Sequence, residues 1–221
     1  MKTALVIGAS GGIGSALCTR LEGLGVQVTS LSRSVDGFDL TQPDEALQML
    51  DDLPDPFDLV LVVSGALEVN GAEPEKTIRA VSAQTMMDQC ALNSGGPALV
   101  LSRGHRLLPR DRRSVFGVLS ARVGSIGDNR IGGWISYRAA KAAVNQIVHT
   151  SAIELARTHK QAICVSLHPG TVKTAFTQKY LGRHPAVDPE AAAMNLLNVV
   201  NGLTTDDTGG FFDWAGKPVP W

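Results

Sequence analysis

The first fourteen residues constrain this chain more than any other stretch. Ala4-Leu5-Val6-Ile7 is an unbroken apolar run ending at Gly8, and Ile13, Leu17, Leu21 and Leu24 then recur at helical spacing until Gly25. A run of that kind suits a strand buried on both faces, as in a parallel sheet with helices on either side. Gly8-Ala9-Ser10-Gly11-Gly12-Ile13-Gly14 joins the two elements. Glycines at 8, 12 and 14 permit a tight turn and a close backbone approach to a diphosphate. The helix start adds free N–H groups and the positive end of its dipole. A flexible surface loop could carry the same residues, but a buried strand before and an amphipathic helix after favour dinucleotide binding. The candidate cradle is Gly8, Ser10, Gly11, Gly12, Ile13 and Gly14.

Strand and helix alternate along the rest of the chain. Apolar runs at 26–31, 59–63, 115–119 and 162–167 read as strands, and stretches near 43–53, 74–108, 136–158 and 189–201 read as helices. No linker or repeat divides them, so residues 1–221 are expected to form a single doubly wound α/β domain of Rossmann type. One connection departs from that scheme. Only Ser34-Val35-Asp36-Gly37 separate Arg33 from Phe38-Asp39-Leu40, whereas a parallel crossover needs about a dozen residues. The helix after the second strand should therefore be missing and the third strand vestigial. Phe211 to Trp214 read as a last edge strand and Pro218 to Trp221 as a packed tail.

Composition narrows the function classes. Apolar residues make up 44% and charged residues 19% of 221, which excludes a disordered polymer. Lys and Arg number 20 against 21 Asp and Glu, giving no pull toward nucleic acid or anionic membranes. No apolar run reaches the roughly 18 residues a membrane span requires, and the start reads as a structural element, not a signal peptide. Cys18, Cys90 and Cys164 form no CxxC pair, so neither a disulfide nor a metal site is expected, and the cytoplasm fits best.

Tyr137 and Lys141 stand four apart in an alanine-rich helical segment, so both emerge on one face. Such a pair is usually a solvated helix face. Beside a dinucleotide turn it suggests proton chemistry, because a nearby ammonium lowers a phenol's pKa toward the working range of a general acid/base.

With these motifs the chain resembles the short-chain dehydrogenase/reductase superfamily over essentially its whole length. The resemblance rests on Gly8-x3-Gly12-x-Gly14, Asn93, Tyr137-x3-Lys141 and Pro169-Gly170-Thr171-Val172-Lys173-Thr174. Leu119 to Asn129 is similar, more narrowly, to C-factor cell–cell signalling proteins and sniffer-type carbonyl reductases. The resemblance implies hydride transfer between a nicotinamide cofactor and a small carbonyl or alcohol. Tyr137 would exchange the proton, and Lys141 would bind the ribose and tune the phenol. A serine would orient the substrate oxygen, and Asn93 would hold a relay water through its backbone. It also implies adenosine contacts from Asp39, Leu40, Ser64, Gly65 and Ala66, nicotinamide-end contacts from Pro169, Gly170, Val172 and Thr174, and a homodimer or homotetramer.

Three positions depart from the pattern. Val62-Val63-Ser64-Gly65 stands where the family has Asn-Asn-Ala-Gly, and Ile7 replaces a common threonine. Ser120-Ala121 replaces Ser-Ser, whose second member is usually catalytic. Ser120 lies 17 residues before Tyr137 and Ser125 lies 12 before it. Ser120 is ranked first, with Ser125 the alternative.

Lesser candidates carry bland readings too. Asp39 would equally serve as a turn aspartate before Thr41, and His168 is expected as a hydrogen-bonded structural histidine. The cysteines read as packing residues. Trp134, Phe176 and Tyr180 suggest an apolar pocket under a substrate loop at about 173–187. At the end of the second strand, Ser32-Arg33-Ser34 offers a guanidinium and no carboxylate before Asp36. That favours NADP(H) over NAD(H). The leading expectation is an NADPH-dependent carbonyl reductase. The alternative is a nucleotide-binding signalling or sensor protein on the same fold.

Overall fold

A computed structural model describes residues 1–54, 56–175, 177–180 and 185–221. Phe176, residues 181–184 of the expected substrate loop and the Tyr180 side chain lie outside the described residues. The elements run β1 (Thr3–Ile7), α1 (Gly12–Gly23), β2 (Gln27–Leu31), α2 (Arg33–Asp36), α3 (Pro43–Asp51) and β3 (Leu59–Val62). They continue with α4 (Ala83–Cys90), α5 (Gly96–Leu101), α6 (Gly104–Leu107), β4 (Ser114–Leu119), α7 (Ile135–Leu155), β5 (Ala162–His168), α8 (Pro189–Gly202) and β6 (Phe211–Asp213). Among the described residues the sheet has six strands in the order β2-β1-β3-β4-β5-β6, and every neighbouring pair is parallel.

Side chains alternate across each strand and build two cores. Leu5, Ile7, Val60, Val62, Phe116 and Val118 face α3, α5 and α7. Ala4, Val6, Leu59, Leu61, Val115 and Val165 face α1 and α8. The inner strands β1, β3, β4 and β5 are largely apolar on both faces because both faces are covered, whereas the edge strand β2, Gln27–Leu31, is half exposed. Among the described residues no helix is long and apolar enough to cross a membrane.

The connection after β2 is as short as expected and takes an unforeseen form. Residues 33–36 make one helical turn, and Gly37 closes it in the left-handed region at φ 73°. The Phe38 N–H then reaches back past the turn to the Ser32 carbonyl at 3.1 Å. Residues 38–40 form no strand, and Phe38 and Leu40 fold into the core instead. The expected helix over 74–108 is corrected at its start. Residues 74–82 hold only a short 3-10 turn, and α4 begins at Ala83, after the Ser82 hydroxyl accepts the Thr85 N–H at 3.0 Å.

Candidate active site

All six strands run in one direction, so their carboxyl ends form one rim, where a doubly wound sheet binds its ligands. The glycine turn leaves β1 at that rim. Gly8 takes φ 93°, a left-handed conformation that side chains disfavour. Its N–H and that of Ala9 both bond the Leu31 carbonyl, at 2.8 and 3.2 Å. A Cβ on Gly14 would fall 2.2 Å from the Gly8 carbonyl oxygen, and one on Gly12 would fall 2.8 Å from Thr174 Cγ2. The turn therefore has no room for side chains at positions 8, 12 and 14. Thr174, from the segment after β5, forms its opposite wall. A cradle walled by backbone at a helix N-terminus fits the diphosphate of a dinucleotide.

At the end of β2, Arg33 is exposed. Ser32 is buried, and both its N–H and its hydroxyl donate to Asp36 Oδ2, at 2.8 and 3.1 Å. The one-turn helix thus brings a carboxylate back to the strand end, which spacing alone did not reveal. Asp39 Oδ1 accepts the N–H and the hydroxyl of Thr41, at 2.9 and 2.7 Å, as the turn reading expects. Those bonds, the backbone one foremost, hold its carboxyl below the usual range. Leu40 is core, packed where a Cβ on Gly96 would otherwise be.

The missing asparagines after β3 have substitutes from α4 and the turn that follows it. Asn93 lies in a π-helical turn at Ala91–Gly95, an irregularity frequent at functional sites. Its Oδ1 accepts the Ala66 N–H at 3.2 Å, and its Nδ2 donates to the Ala66 carbonyl at 2.8 Å and to Gln89 Oε1 at 2.7 Å. Gln89 Nε2 donates to the Leu67 carbonyl at 2.8 Å. Gly65 admits this arrangement, since a Cβ there would fall 2.8 Å from Asn93 Oδ1 and 3.5 Å from Lys141 Nζ. Ser64 packs on Gly8, near enough to crowd any side chain there. Gln89 belongs to no motif in the sequence, and its place four residues before Asn93 was the available signal.

Tyr137 and Lys141 are 5% and 3% exposed, so they belong to no solvated face. Lys141 Nζ donates to the Leu119 carbonyl at 2.9 Å and stands 5.8 Å from the centre of the Tyr137 ring. Burial pushes the lysine down to about 8 and the phenol above its ordinary value. The expected lowering of the phenol is therefore corrected for this state, in which the cost of burying a phenolate outweighs the ammonium. Gly124, in the turn after β4, lets that loop press on α7, because a Cβ there would fall 2.8 Å from the Lys141 backbone.

The two serines differ in their commitments. Ser125 donates to the Pro220 carbonyl and accepts the Asp128 N–H at 3.1 Å, which ties it to the chain's last residues. Ser120 follows β4 directly, is buried, and has its hydroxyl 3.5 Å from the Lys141 carbonyl, a bond at the limit of length. Pro169, Gly170 and Val172 lie beyond β5, where Gly170, at φ 79°, is covered by Trp214. His168 differs from expectation, since its Nδ1 is buried with no hydrogen-bond partner among the described residues. Burial, then Arg122, push its pKa down to about 4 against the pull of Asp213, and the ring is neutral. Lys179 bonds Glu68 and Glu73 across the rim at 2.9 and 3.2 Å. Among the described residues no group of three His, Cys, Asp or Glu side chains could hold a metal ion.

A parallel sheet, a glycine cradle and a buried Tyr–Lys pair on one rim define a nucleotide-dependent oxidoreductase. The sequence profile of the short chain dehydrogenase family matches residues 2–183, and the chain belongs to that family. Among curated relatives, 1-hydroxy-2-glutathionyl-2-methyl-3-butene dehydrogenase of Rhodococcus sp. (strain AD45) is 29% identical, covering 100% of both chains. C-signal of Myxococcus xanthus is 32% identical over 59% of this chain and 75% of its own. Among solved structures, carbonyl reductase Sniffer of D. melanogaster superposes with a TM-score of 0.80 at 22% identity, covering 100% of both. The NADPH-bound carbonyl reductase from chicken fatty liver reaches 0.82 at 21% identity, covering 100% of this chain and 94% of that one.

Proposed function

We propose that the chain is an NADP(H)-dependent reductase of a small carbonyl compound, or the dehydrogenase of the matching alcohol. The observation that carries this reading is the buried Tyr137–Lys141 pair on the rim that also bears the glycine turn. Burying an ammonium is costly, and a lysine kept there at about 8 is poised near neutral pH. The glycine turn would hold the diphosphate, Ser64, Gly65 and Ala66 the adenosine side, and Pro169, Gly170, Val172 and Thr174 the nicotinamide end. A bound nicotinamide supplies or accepts the hydride. Tyr137 gives its phenolic proton to the substrate oxygen in reduction and takes it back in oxidation. Lys141 stabilises the phenolate left behind and holds a ribose hydroxyl. Ser120, whose hydroxyl makes one long bond among the described residues, orients the substrate oxygen, whereas Ser125 is occupied by Pro220 and Asp128.

Arg33 supports the preference for NADP(H), since it is exposed at the strand end and suited to a phosphate. Asp36, held on Ser32 beside it, opposes that preference in part. The likeness to C-signal favours a second reading, a sensor whose output is cofactor occupancy. NADPH consumption over a panel of aldehydes, ketones and a glutathionyl aldehyde separates the two. Turnover is expected, and tight NADPH binding with no turnover across the panel would select the sensor.

A further inference from the structure

Glu75 belongs to the loop between β3 and α4, far in sequence from α7, yet it is only 5% exposed. Both halves of the residue grip the start of α7. Its carboxylate accepts the Ser136 hydroxyl at one oxygen and the Ser136 N–H, at 3.2 Å, at the other. Its backbone carbonyl accepts the Trp134 N–H at 2.5 Å. A carboxylate is favoured there by the positive end of the helix and takes up N–H groups the helix leaves unpaired.

The segment it grips is strained. Gly132, Gly133 and Trp134 take φ of 70, 68 and 54° in succession. A left-handed tryptophan is costly and persists only where its surroundings over-determine it. The three left-handed residues bring the Trp134 ring edge-on to Tyr137, with ring centres 6.4 Å apart. Arg138 braces the same bend from the other side, donating to the Gly133 carbonyl at 2.8 Å and the Gly132 carbonyl at 3.2 Å. Tyr137 directly follows the residue that the carboxylate holds.

We propose that Glu75 is a positioning residue for Tyr137, fixing the strained first turn of α7 so that the phenol keeps one orientation toward the substrate. This rests on the reading of Tyr137 as the proton donor, and the test separates the two. The chain has two tyrosines, so a Tyr180→Phe protein grown with 3-fluorotyrosine gives one fluorine resonance, that of Tyr137. In that background Glu75→Ala is expected to move or broaden the resonance, while Glu75→Gln, whose amide oxygen still accepts the helix N–H, leaves it near its original place. With the tyrosines intact, Glu75→Ala should lower kcat about tenfold or more with NADPH affinity within about twofold, and Glu75→Gln should lower kcat no more than about threefold. A folded Glu75→Ala protein with lower melting temperature but unchanged resonance and kcat would overturn the inference. So would a loss of NADPH affinity matching the loss of kcat. If Glu75→Ala does not fold, Ser136→Ala must move the same resonance, and an unmoved one overturns the inference. If the wild type reduces no carbonyl, the fluorine arm decides alone and the functional reading fails separately.

Discussion

The glycine turn at residues 8–14 and the Tyr137–Lys141 group share one rim but are built on different principles. The turn is made of backbone. Its shape follows from positive φ at Gly8 and from the space that Gly12 and Gly14 leave empty. The Tyr–Lys group is made of side chains drawn from distant segments. Lys141 leans on Leu119, Ser120 on Lys141, and the start of the helix on Glu75. Backbone sites are written in a few adjacent residues, and their failure is steric. Side-chain sites are spread over the chain, and their failure is electrostatic or orientational.

Breaking the backbone site should have the largest effect. Gly14→Ala drives a methyl into the Gly8 carbonyl at 2.2 Å, a clash with backbone that no rotamer relieves. It should cost about 1–3 kcal/mol or more by thermal or denaturant melting and abolish NADPH binding by titration. Gly12→Ala, which crowds the Thr174 side chain and otherwise meets Pro189 at ordinary contact distance, should be milder.

The side-chain site should respond to pH instead. Lys141 stands at about 8 in the fold against an ordinary 10.5. Between those values the unfolded chain binds more protons than the folded one, so stability rises with pH across the window. The penalty for burying the charge is complete below about 8 and relieved toward 10.5. Relative to Lys141→Met, the wild type should gain up to about 3 kcal/mol over that range in denaturant melts. A constant difference would mean that the ammonium carries no burial penalty.

Smaller effects sharpen the contrast. Arg33→Ala should weaken NADPH binding about tenfold to a hundredfold and leave NADH nearly unchanged. Equal losses would remove Arg33 as a phosphate reader. Gln89→Leu should cost roughly 1 kcal/mol by leaving the Leu67 carbonyl and Asn93 Nδ2 short of a partner.

The same contrast explains what the sequence made legible. The strands were readable because a strand covered on both faces must be largely apolar, and 59–62 and 115–119 are. The short connection after β2 followed from chain length alone, although its helical turn and the return of Asp36 to Ser32 did not. The start of α4 differs from expectation because residues 74–82 carry no strong breaker after Pro74, while the Ser82 hydroxyl, accepting the Thr85 N–H, caps the helix only at Ala83. Glu75 was invisible because its partner Ser136 lies 61 residues away, whereas Gln89 stands four residues before Asn93 and only its bond to Leu67, 22 residues away, needed the assembled fold. The lowered phenol was expected from a neighbouring ammonium, but spacing gives proximity and not burial, and burial governs both groups here.

Every role proposed for the rim depends on Tyr137 as a proton donor within an otherwise intact cofactor site. Steady-state carbonyl reduction and direct NADPH binding, measured side by side on wild type and Tyr137→Phe, test this most directly. Removing one hydroxyl from a buried ring should lower kcat by about 10²–10⁴-fold and leave NADPH affinity within about threefold. Turnover that survives the substitution, or cofactor affinity that falls with it, would contradict the account.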